Sequence, residues 1–314
     1  MANGPVLVVT SLEDVTADLV IAALNRRGIP VVRLDPADIG DGLAFAGRIG
    51  GGDRGWSGRL RTESRDLDLG HVRSVYHRRP GPWRFDHLER RARRFASAEA
   101  RHGLCGLLND LPVPQVNAPL ANARAEYKPS QLRATAELGF TVPPTLVTND
   151  PAAARRFAGE HRSVIYKSFR GVLPADGETG AIWTQRVKTA EIDESVSVTA
   201  HLFQAEVEKT GDVRITVVGR RVFASHIQAP GSPLDWRSGD WDRLEYSPID
   251  LPTRFTARLH AYLDRFCLAF GCFDFAVDDT EDLVFIECNP NGQWGFLPES
   301  DSIADAFAEL LQNG

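Results

Sequence analysis

Residues 272–291 read CFDFAVDDTEDLVFIECNPN, and the fold turns on how this stretch is paired. Two apolar runs, residues 273–277 and 283–286, flank the polar cluster 278–282. That is the pattern of a β-hairpin with a short loop. With the loop at residues 279–282, Asp278 pairs with Leu283, Val277 with Val284, and Asp274 falls opposite Glu287. Side chains alternate along a strand. Glu287 and Asn289 therefore share a face while Ile286 and Cys288 turn away, and Asp274 opposes its neighbours Phe273 and Phe275. Two carboxylates with Cβ atoms roughly 5 Å apart repel each other unless something positive sits between them. A hard divalent cation is one answer, because Asp, Glu and Asn side chains all offer oxygen. A surface hairpin whose acids simply face water is the other.

The 314 residues exceed the usual size of a single core, so two or three packed lobes are expected. An apolar content of 43% and a charged content of 25% are those of a soluble globular chain. No apolar run reaches the ~18 residues of a membrane span. The N-terminus runs straight into a strand-like segment with no basic region or cleavage site, which predicts a cytoplasmic location and no membrane partner. Cys105, Cys267, Cys272 and Cys288 form no CxxC pair and read as buried thiols in a reducing compartment. A formal charge of −6 argues against a nucleic-acid partner. Only four of the 36 basic residues are lysine: Lys128, Lys167, Lys188 and Lys209. Each asks for a reason, since lysine and arginine differ wherever a compact charge is needed.

In chain order, residues 6–10 read as a buried strand. A helix follows from about Asp14, with Leu19, Ala22, Ala23 and Leu24 inward and Gly28 closing it. Residues 30–34 form the next strand, so the opening is βαβ with a parallel sheet. Residues 43–49 and 56–62 make a hairpin around a glycine-rich turn. Residues 72–77 are a strand ending in His77-Arg78-Arg79-Pro80, and residues 86–109 a long helix with Leu88, Phe95, Leu104 and Leu108 as its apolar positions. Seven arginines (Arg78, Arg79, Arg84, Arg90, Arg91, Arg93 and Arg94) crowd this region, as either an acidic-ligand contact or a solvated face. Residues 112–122 read as a linker. A helix carrying Lys128 ends at Gly139, Asp150 caps a helix that starts with Pro151, and Lys167 lies on a strand at 163–168. Residues 171–180 form a flexible loop. Residues 182–184 and 201–207 are strand candidates, and 212–218 with 221–227 a hairpin. Residues 255–270 are a helix, and 303–311 a short amphipathic one.

Several chemistries are absent from the sequence. There is no GxxxxGK[ST] phosphate loop, no HExxH and no GxSxG elbow, and the eight histidines are scattered. What remains is an order of parts. A lysine-bearing helix precedes Pro143-Pro144-Thr145, then come a strand lysine, a loop, Phe203-Gln204-Ala205-Glu206-Val207, Asp212-Val213-Arg214, and Asp274 with Glu287-Cys288-Asn289-Pro290. From about Asn117 to the C-terminus this order resembles the ATP-grasp fold, and the preceding βα region matches that family's N-terminal domain. Within the superfamily it looks most like the peptide maturases that make graspetides, the microviridin-type ligases. Tyr76-His77-Arg78-Arg79-Pro80, Asp235-Trp236-Arg237 and Asn291-Gly292-Gln293-Trp294 carry that finer resemblance.

The resemblance implies an α/β (α+β) architecture with nucleotide between two lobes. Residues 1–115 would be the N-terminal α/β domain, 116–200 the central lobe and 201–314 the C-terminal lobe with the metal-binding hairpin. It implies ATP and Mg²⁺. Lys128 and Lys167 would meet the phosphates and the adenine edge, and Gln204, Ala205, Glu206 and Val207 would form the adenine hinge, with Asp212 beside Arg214. Arg214 would steady the transferring γ-phosphoryl, with Arg237 and Lys209 as further catalytic contacts. Asp274, Glu287 and Asn289 would hold Mg²⁺. The implied reaction activates an Asp or Glu side chain of a ribosomal precursor peptide as an acyl phosphate. A Ser or Thr hydroxyl then gives an ω-ester, or a Lys amine an ω-amide. The partner would be a precursor with a leader and an acidic, Ser/Thr-containing core, and a homodimer is a possible assembly. Two rivals stand beside this reading: an amino-acid ligase of the glutamate-ligase type, and a non-catalytic nucleotide-dependent binding module.

Overall fold

The computed structural model describes residues 4–51, 53–170, 182–231 and 233–313. The segment 171–180, expected as a flexible loop, lies outside the described residues. Val6–Val9, buried along its whole length, sits inside a parallel sheet. The spatial order is Val31–Leu34, Val6–Val9, Ser74–His77, Gln115–Val116. The helix Val15–Arg26 makes the first crossover. Asp14 starts it by accepting the N–H groups of Thr16 and Ala17 at 3.2 and 3.3 Å. Its buried stripe is Thr16, Ala17, Val20, Ala23 and Leu24. Ala22, expected inward, is exposed because it falls outside that stripe. The C-terminal helix Ser300–Gln312 packs on the same core through Ile303, Phe307 and Leu311, a spacing of i, i+4 and i+8. Both ends of the chain thus share one hydrophobic cluster.

The expected linker at 112–122 is ordered structure. Gln115–Val116 joins the parallel sheet, and Pro119–Ala125 is a helix. The buried Asn117 explains why. Its Nδ2 donates to the carbonyls of Phe270 and Pro290, both at 2.8 Å, and its Oδ1 accepts from the N–H of Ala269 at 2.7 Å. An amide satisfied on both sides acts as a backbone mimic and staples the segment to the C-terminal lobe. The long helix begins at Arg90 and contains a π-helical turn at Arg101–Cys105; Phe95, expected inward, is 67% exposed.

Two antiparallel sheets follow. The central one runs Gln185–Val187, Val164–Lys167, His201–Ala205, Thr145–Thr148. Its edge strand starts at Gln185, not at residue 182 as the sequence suggested, because Val187 is the residue that joins the small core around Val164 and Phe203. The C-terminal sheet runs Glu245–Pro248, Arg221–Gln228, Lys209–Val218, Phe270–Asp278, Leu283–Asn289. The helix Thr253–Phe266 packs beneath it through Leu259, Tyr262 and Phe266. That helix stops four residues earlier than its apolar pattern suggests. Cys267 takes φ 56°, and the N–H groups of Cys267 and Leu268 bond the carbonyls of Asp264 and Leu263 at 3.1 and 2.9 Å. This is a Schellman stop.

In the hairpin, Asp274 does face Glu287, but by a different route. Asp278 N–H donates to Asp282 O at 3.1 Å, so the loop has one residue fewer than expected. Val277 pairs with Leu283 and Phe275 with Phe285, and a bulge at Ile286 restores the expected pairing at Asp274. The bulge also turns Ile286 toward the cleft that Glu287 lines, where strict alternation had turned it away.

Candidate active site

The cleft between the two antiparallel sheets gathers most of the residues singled out in the sequence. Ile165 and Lys167 approach from the central sheet, and Asp212, Asp274, Ile286 and Glu287 from the C-terminal one. It opens into a cavity of about 900 Å³ on whose wall Lys128, Arg214, Arg237 and Asn289 appear. That volume accommodates more than a nucleotide's phosphates.

Strand geometry sets the centre. Arg214 pairs with Asp274 and Asp274 with Glu287 across three adjacent strands, so one row of the sheet carries all three. Arg214 Nη1 donates to both Asp274 oxygens at 2.7 Å, and its Nη2 to Gln293 O at 2.8 Å. Glu287 takes Lys128 Nζ as a close partner and Arg237 Nη1 at 3.3 Å. Asn289 Nδ2 lies 3.3 Å from Asp274 Oδ2 and 3.2 Å from Glu287 Oε1. Arg237 is itself clamped by Asp235, at 2.9 Å through Nε and 2.8 Å through Nη2.

The electrostatics follow from burial. Lys167 is 9% exposed, and desolvation pushes its pKa down to about 8 despite the pull of Glu287. Burial opposes ionisation of Glu287, but Lys128, Lys167 and Arg237 hold its carboxyl well below the usual range. Burial opposes the Arg214 charge, which Asp274 more than offsets, and the guanidinium stays firmly protonated. Desolvation raises Asp212 to about 6 against the pull of Lys209, whose Nζ lies 2.7 and 2.6 Å from its two oxygens. Four cations (Lys128, Lys167, Arg214 and Arg237) thus face three acids (Asp235, Asp274 and Glu287), an excess suited to phosphate.

Among the described residues no three His, Cys, Asp or Glu side chains gather as a metal cluster. The convergent set is two carboxylates and one amide. Turning the Asn289 amide would aim its oxygen where Nδ2 now points, giving three oxygen donors. That donor set fits Mg²⁺.

The four expected hinge residues divide. Gln204 and Val207 line the cleft. Gln204 Nε2 donates to Thr145 Oγ1 at 2.8 Å, and its buried Oε1 has no partner, an acceptor left for a bound group. The N–H groups of Ala205 and Glu206 instead bond Pro144 O and Ser163 O at 2.9 and 3.0 Å. The Glu206 carboxylate is tied to Arg186 and Ser163. Sequence reasoning did not select Asp235, although Asp235-Trp236-Arg237 repeats the spacing of Asp212-Val213-Arg214. It quoted Gln293 for the resemblance without giving it a role, although its carbonyl holds Arg214, and read Asp14 only as the start of a helix. Of the four thiols, Cys272 and Cys288 are buried, but Cys267 is exposed at the helix end.

No protein-family model matches the sequence, and no curated protein sequence does. Solved structures do match. The RiPP-associated ATP-grasp ligase of Chryseobacterium gregarium, solved with ADP and a leader and core peptide, is 27% identical with a TM-score of 0.89, covering 99% of this chain and 97% of that one. The macrocyclase MdnC of Microcystis aeruginosa MRC, bound with the precursor peptide MdnA, is 26% identical with a TM-score of 0.86, covering 98% and 99%. The macrocyclase MdnB of the same organism is 28% identical with a TM-score of 0.79, covering 98% and 99%. Fold and site together define an ATP-grasp ligase. Within that class the chain is similar over its whole length to RiPP-associated ATP-grasp ligases and macrocyclases. No helix among the described residues is long and apolar enough to cross a membrane.

Proposed function

We propose that this chain is an ATP-dependent peptide macrocyclase acting on a ribosomal precursor with a leader and an acidic core. The observation that carries the reading is the row Arg214, Asp274 and Glu287, with Asn289 beside it, at the junction of a narrow cleft and a wide cavity. A nucleotide suits the cleft and a peptide segment suits the cavity. A side-chain carboxylate of the peptide attacks the γ-phosphoryl of ATP, giving an acyl phosphate and ADP. A Ser or Thr hydroxyl, or a Lys amine, then displaces phosphate and closes an ester or amide ring.

Asp274, Glu287 and Asn289 are assigned to Mg²⁺, which would neutralise charge on the phosphates. Lys128 and Lys167 are assigned to the phosphates, as point charges in a dry cleft. Gln204 and Val207 are assigned to the adenine end, with Ala205 and Glu206 contributing only through their carbonyls because their N–H groups bond Pro144 and Ser163, and Asp212 with Lys209 to the flank of the cleft. Arg214 and Arg237 are assigned to the transferring group, where a fixed guanidinium acts without reorganising. We assign residues 1–115, 116–200 and 201–314 as the three domains, and the cytoplasm as the location.

Mass spectrometry of the cognate precursor after incubation with enzyme tests the reading. Each ring closed removes one water, a fall of about 18 Da from a nucleophile held beside its target. The product should need ATP, Mg²⁺ and an intact leader. A mass gain equal to an added amino acid, with no loss of water, would replace this reading with the amino-acid ligase.

A further inference from the structure

The seven arginines of residues 78–94 separate by their partners. Arg84 is paired with Asp35 and Asp38, and Arg93 with Asp86. Arg90, Arg91 and Arg94 are exposed on their helix. Arg78 points into the body of the protein. Its Nη1 donates to Asn291 O at 2.9 Å, Asn291 Oδ1 at 2.7 Å and Gly292 O at 3.1 Å, and its Nη2 to Gln293 Oε1 at 2.6 Å. Arg79 is the one member of the seven that lines the large cavity.

Arg79 is anchored without being neutralised. Its backbone N–H donates to Thr10 Oγ1 at 3.3 Å, and its Nη2 to Asn291 O at 3.1 Å. It has no carboxylate partner among the described residues. Lys128, Arg214 and Arg237 on the same wall each have one. Desolvation, and then the neighbouring Arg78 charge, hold the Arg79 pKa below the ordinary arginine value. Asp14 pulls the other way without forming an ion pair, so the exposed Arg79 has no paired carboxylate among the described residues.

The segment that anchors Arg79 also anchors Arg214. Arg79 leans on Asn291 O, and Arg214 on Gln293 O two residues further along. This strap is held on several sides. Gln293 Oε1 accepts from Thr16 Oγ1 at 2.6 Å as well as from Arg78. A Cβ on Gly292 would stand 2.5 Å from Cys272 Cβ and 3.0 Å from Arg214 Nη2, so only glycine allows so close an approach. A guanidinium without a paired acid is therefore held on the same cavity wall, and by the same strap, as the arginine assigned to the phosphoryl group.

We propose that Arg79 binds the reacting carboxylate of the substrate, an Asp or Glu side chain of the peptide, and this rests on the macrocyclase reading. The guanidinium fork matches a carboxylate and holds it in one plane, so the same contact that binds the acid also orients it. Arg170 lines the cavity too, with no acid partner among the described residues, but the strap does not hold it. It serves as the comparison.

The test uses N-acetyl-glutamate N-methylamide and its glutamine counterpart, titrated by NMR into the protein loaded with Mg·ADP. Wild type should prefer the glutamate probe by about tenfold, the scale of one charge-assisted pair. Arg79→Gln should lose that preference, Arg79→Lys should keep part of it, and Arg170→Gln should keep all of it. Melting curves and ADP affinity show whether each variant is folded, and Arg79→Lys carries the test if Arg79→Gln is not. A full preference surviving in Arg79→Gln overturns the proposal, and so does a wild type with no preference. Precursor turnover separates this from the wider reading. Ring closure with an unmoved peptide KM in Arg79→Gln removes the role of Arg79 and leaves the macrocyclase. An Arg79-dependent glutamate preference in a chain that closes no ring removes the macrocyclase and leaves the carboxylate site.

Discussion

At the scale of single residues, the cleft is a place where burial and charge oppose each other, and Lys167 shows the consequence. Its pKa of about 8 lies below the ordinary 10.5 because desolvation outweighs Glu287. Phosphate binding requires the ammonium form, so nucleotide affinity should weaken as pH rises through 8. Between pH 7 and 9 the expected loss is about tenfold, the value for one proton. The folded-state stability moves the other way. The unfolded chain holds this proton more tightly, so the burial cost is full below about 8 and relieved toward 10.5. Calorimetric titration of ADP across that range checks it, with Lys167→Arg as the comparison. A profile equally steep in Lys167→Arg would assign the effect elsewhere. Glu287 shows the converse case. Glu287→Gln leaves Lys128, Lys167 and Arg237 facing one another with one acid fewer. Without nucleotide it should cost about 3 kcal/mol, the scale of a broken buried pair. ADP in the presence of EDTA should restore more stability to the variant than to wild type, because phosphate supplies the missing negative charge. Thermal melts with equal ADP shifts in the two proteins would refute that.

At the scale of elements, the hairpin and the helix before it mark what a sequence can and cannot say. The pairing of Asp274 with Glu287 was legible because apolar runs and a polar loop fix strand register to within a residue. The bulge at Ile286 was not, because nothing in the residues 283–289 distinguishes a four-residue loop from a shorter one compensated downstream. The strand lysine, the helix start near Asp14, the capping Asp150 and the hairpin at Gly219 were likewise local signals, and the structure carries each of them. The end of the Thr253–Phe266 helix was misread for a physical reason. Its stop is a left-handed residue, usually glycine, and here the position holds Cys267. The apolar residues beyond it, Leu268 and Phe270, continue the helical spacing and hide the stop. The ordered segment at 115–125 was missed because the bonds of Asn117 reach elements about 150 residues away, and no local pattern encodes them. Cys267→Gly should therefore stabilise the fold by about 1 kcal/mol, since glycine adopts this conformation without the Cβ penalty and its added chain entropy offsets only part of the gain. Denaturant unfolding checks it. An unchanged or lower midpoint at constant slope would mean that Cys267 contributes packing that the helix end does not reveal.

At the scale of the whole molecule, the parallel sheet is joined to the catalytic lobe by side chains rather than by strands. The first and last helices share a core, Thr16 reaches Gln293, and Arg78 reaches residues 291–293 from the end of its strand. The N-terminal region is therefore part of the site's scaffold. The buried pair Arg78–Asp14, 3.2 Å apart with side chains 0% and 3% exposed, is the hub. The contact is electrostatic rather than an aligned hydrogen bond, because Arg78 Nε has no hydrogen-bond partner. Asp14 also accepts Thr10 Oγ1 at 2.9 Å and caps the first helix. Asp14→Asn keeps an oxygen for the cap while removing the charge, so it isolates the pair. Leaving the Arg78 charge buried without its acid should cost about 3 kcal/mol. In a chain this long that lowers the melting temperature by roughly 5–10 °C. If the first helix alone were affected, the damage would stay within residues 14–28. The bonds to Asn291, Gly292 and Gln293 predict otherwise: amide exchange should also quicken at 289–294, and turnover should fall more than nucleotide affinity because Arg214 leans on that strap. Hydrogen-exchange mass spectrometry of the variant decides between them. Protection lost in the first helix but unchanged at 289–294 would show that the N-terminal sheet packs against the catalytic lobe without organising it.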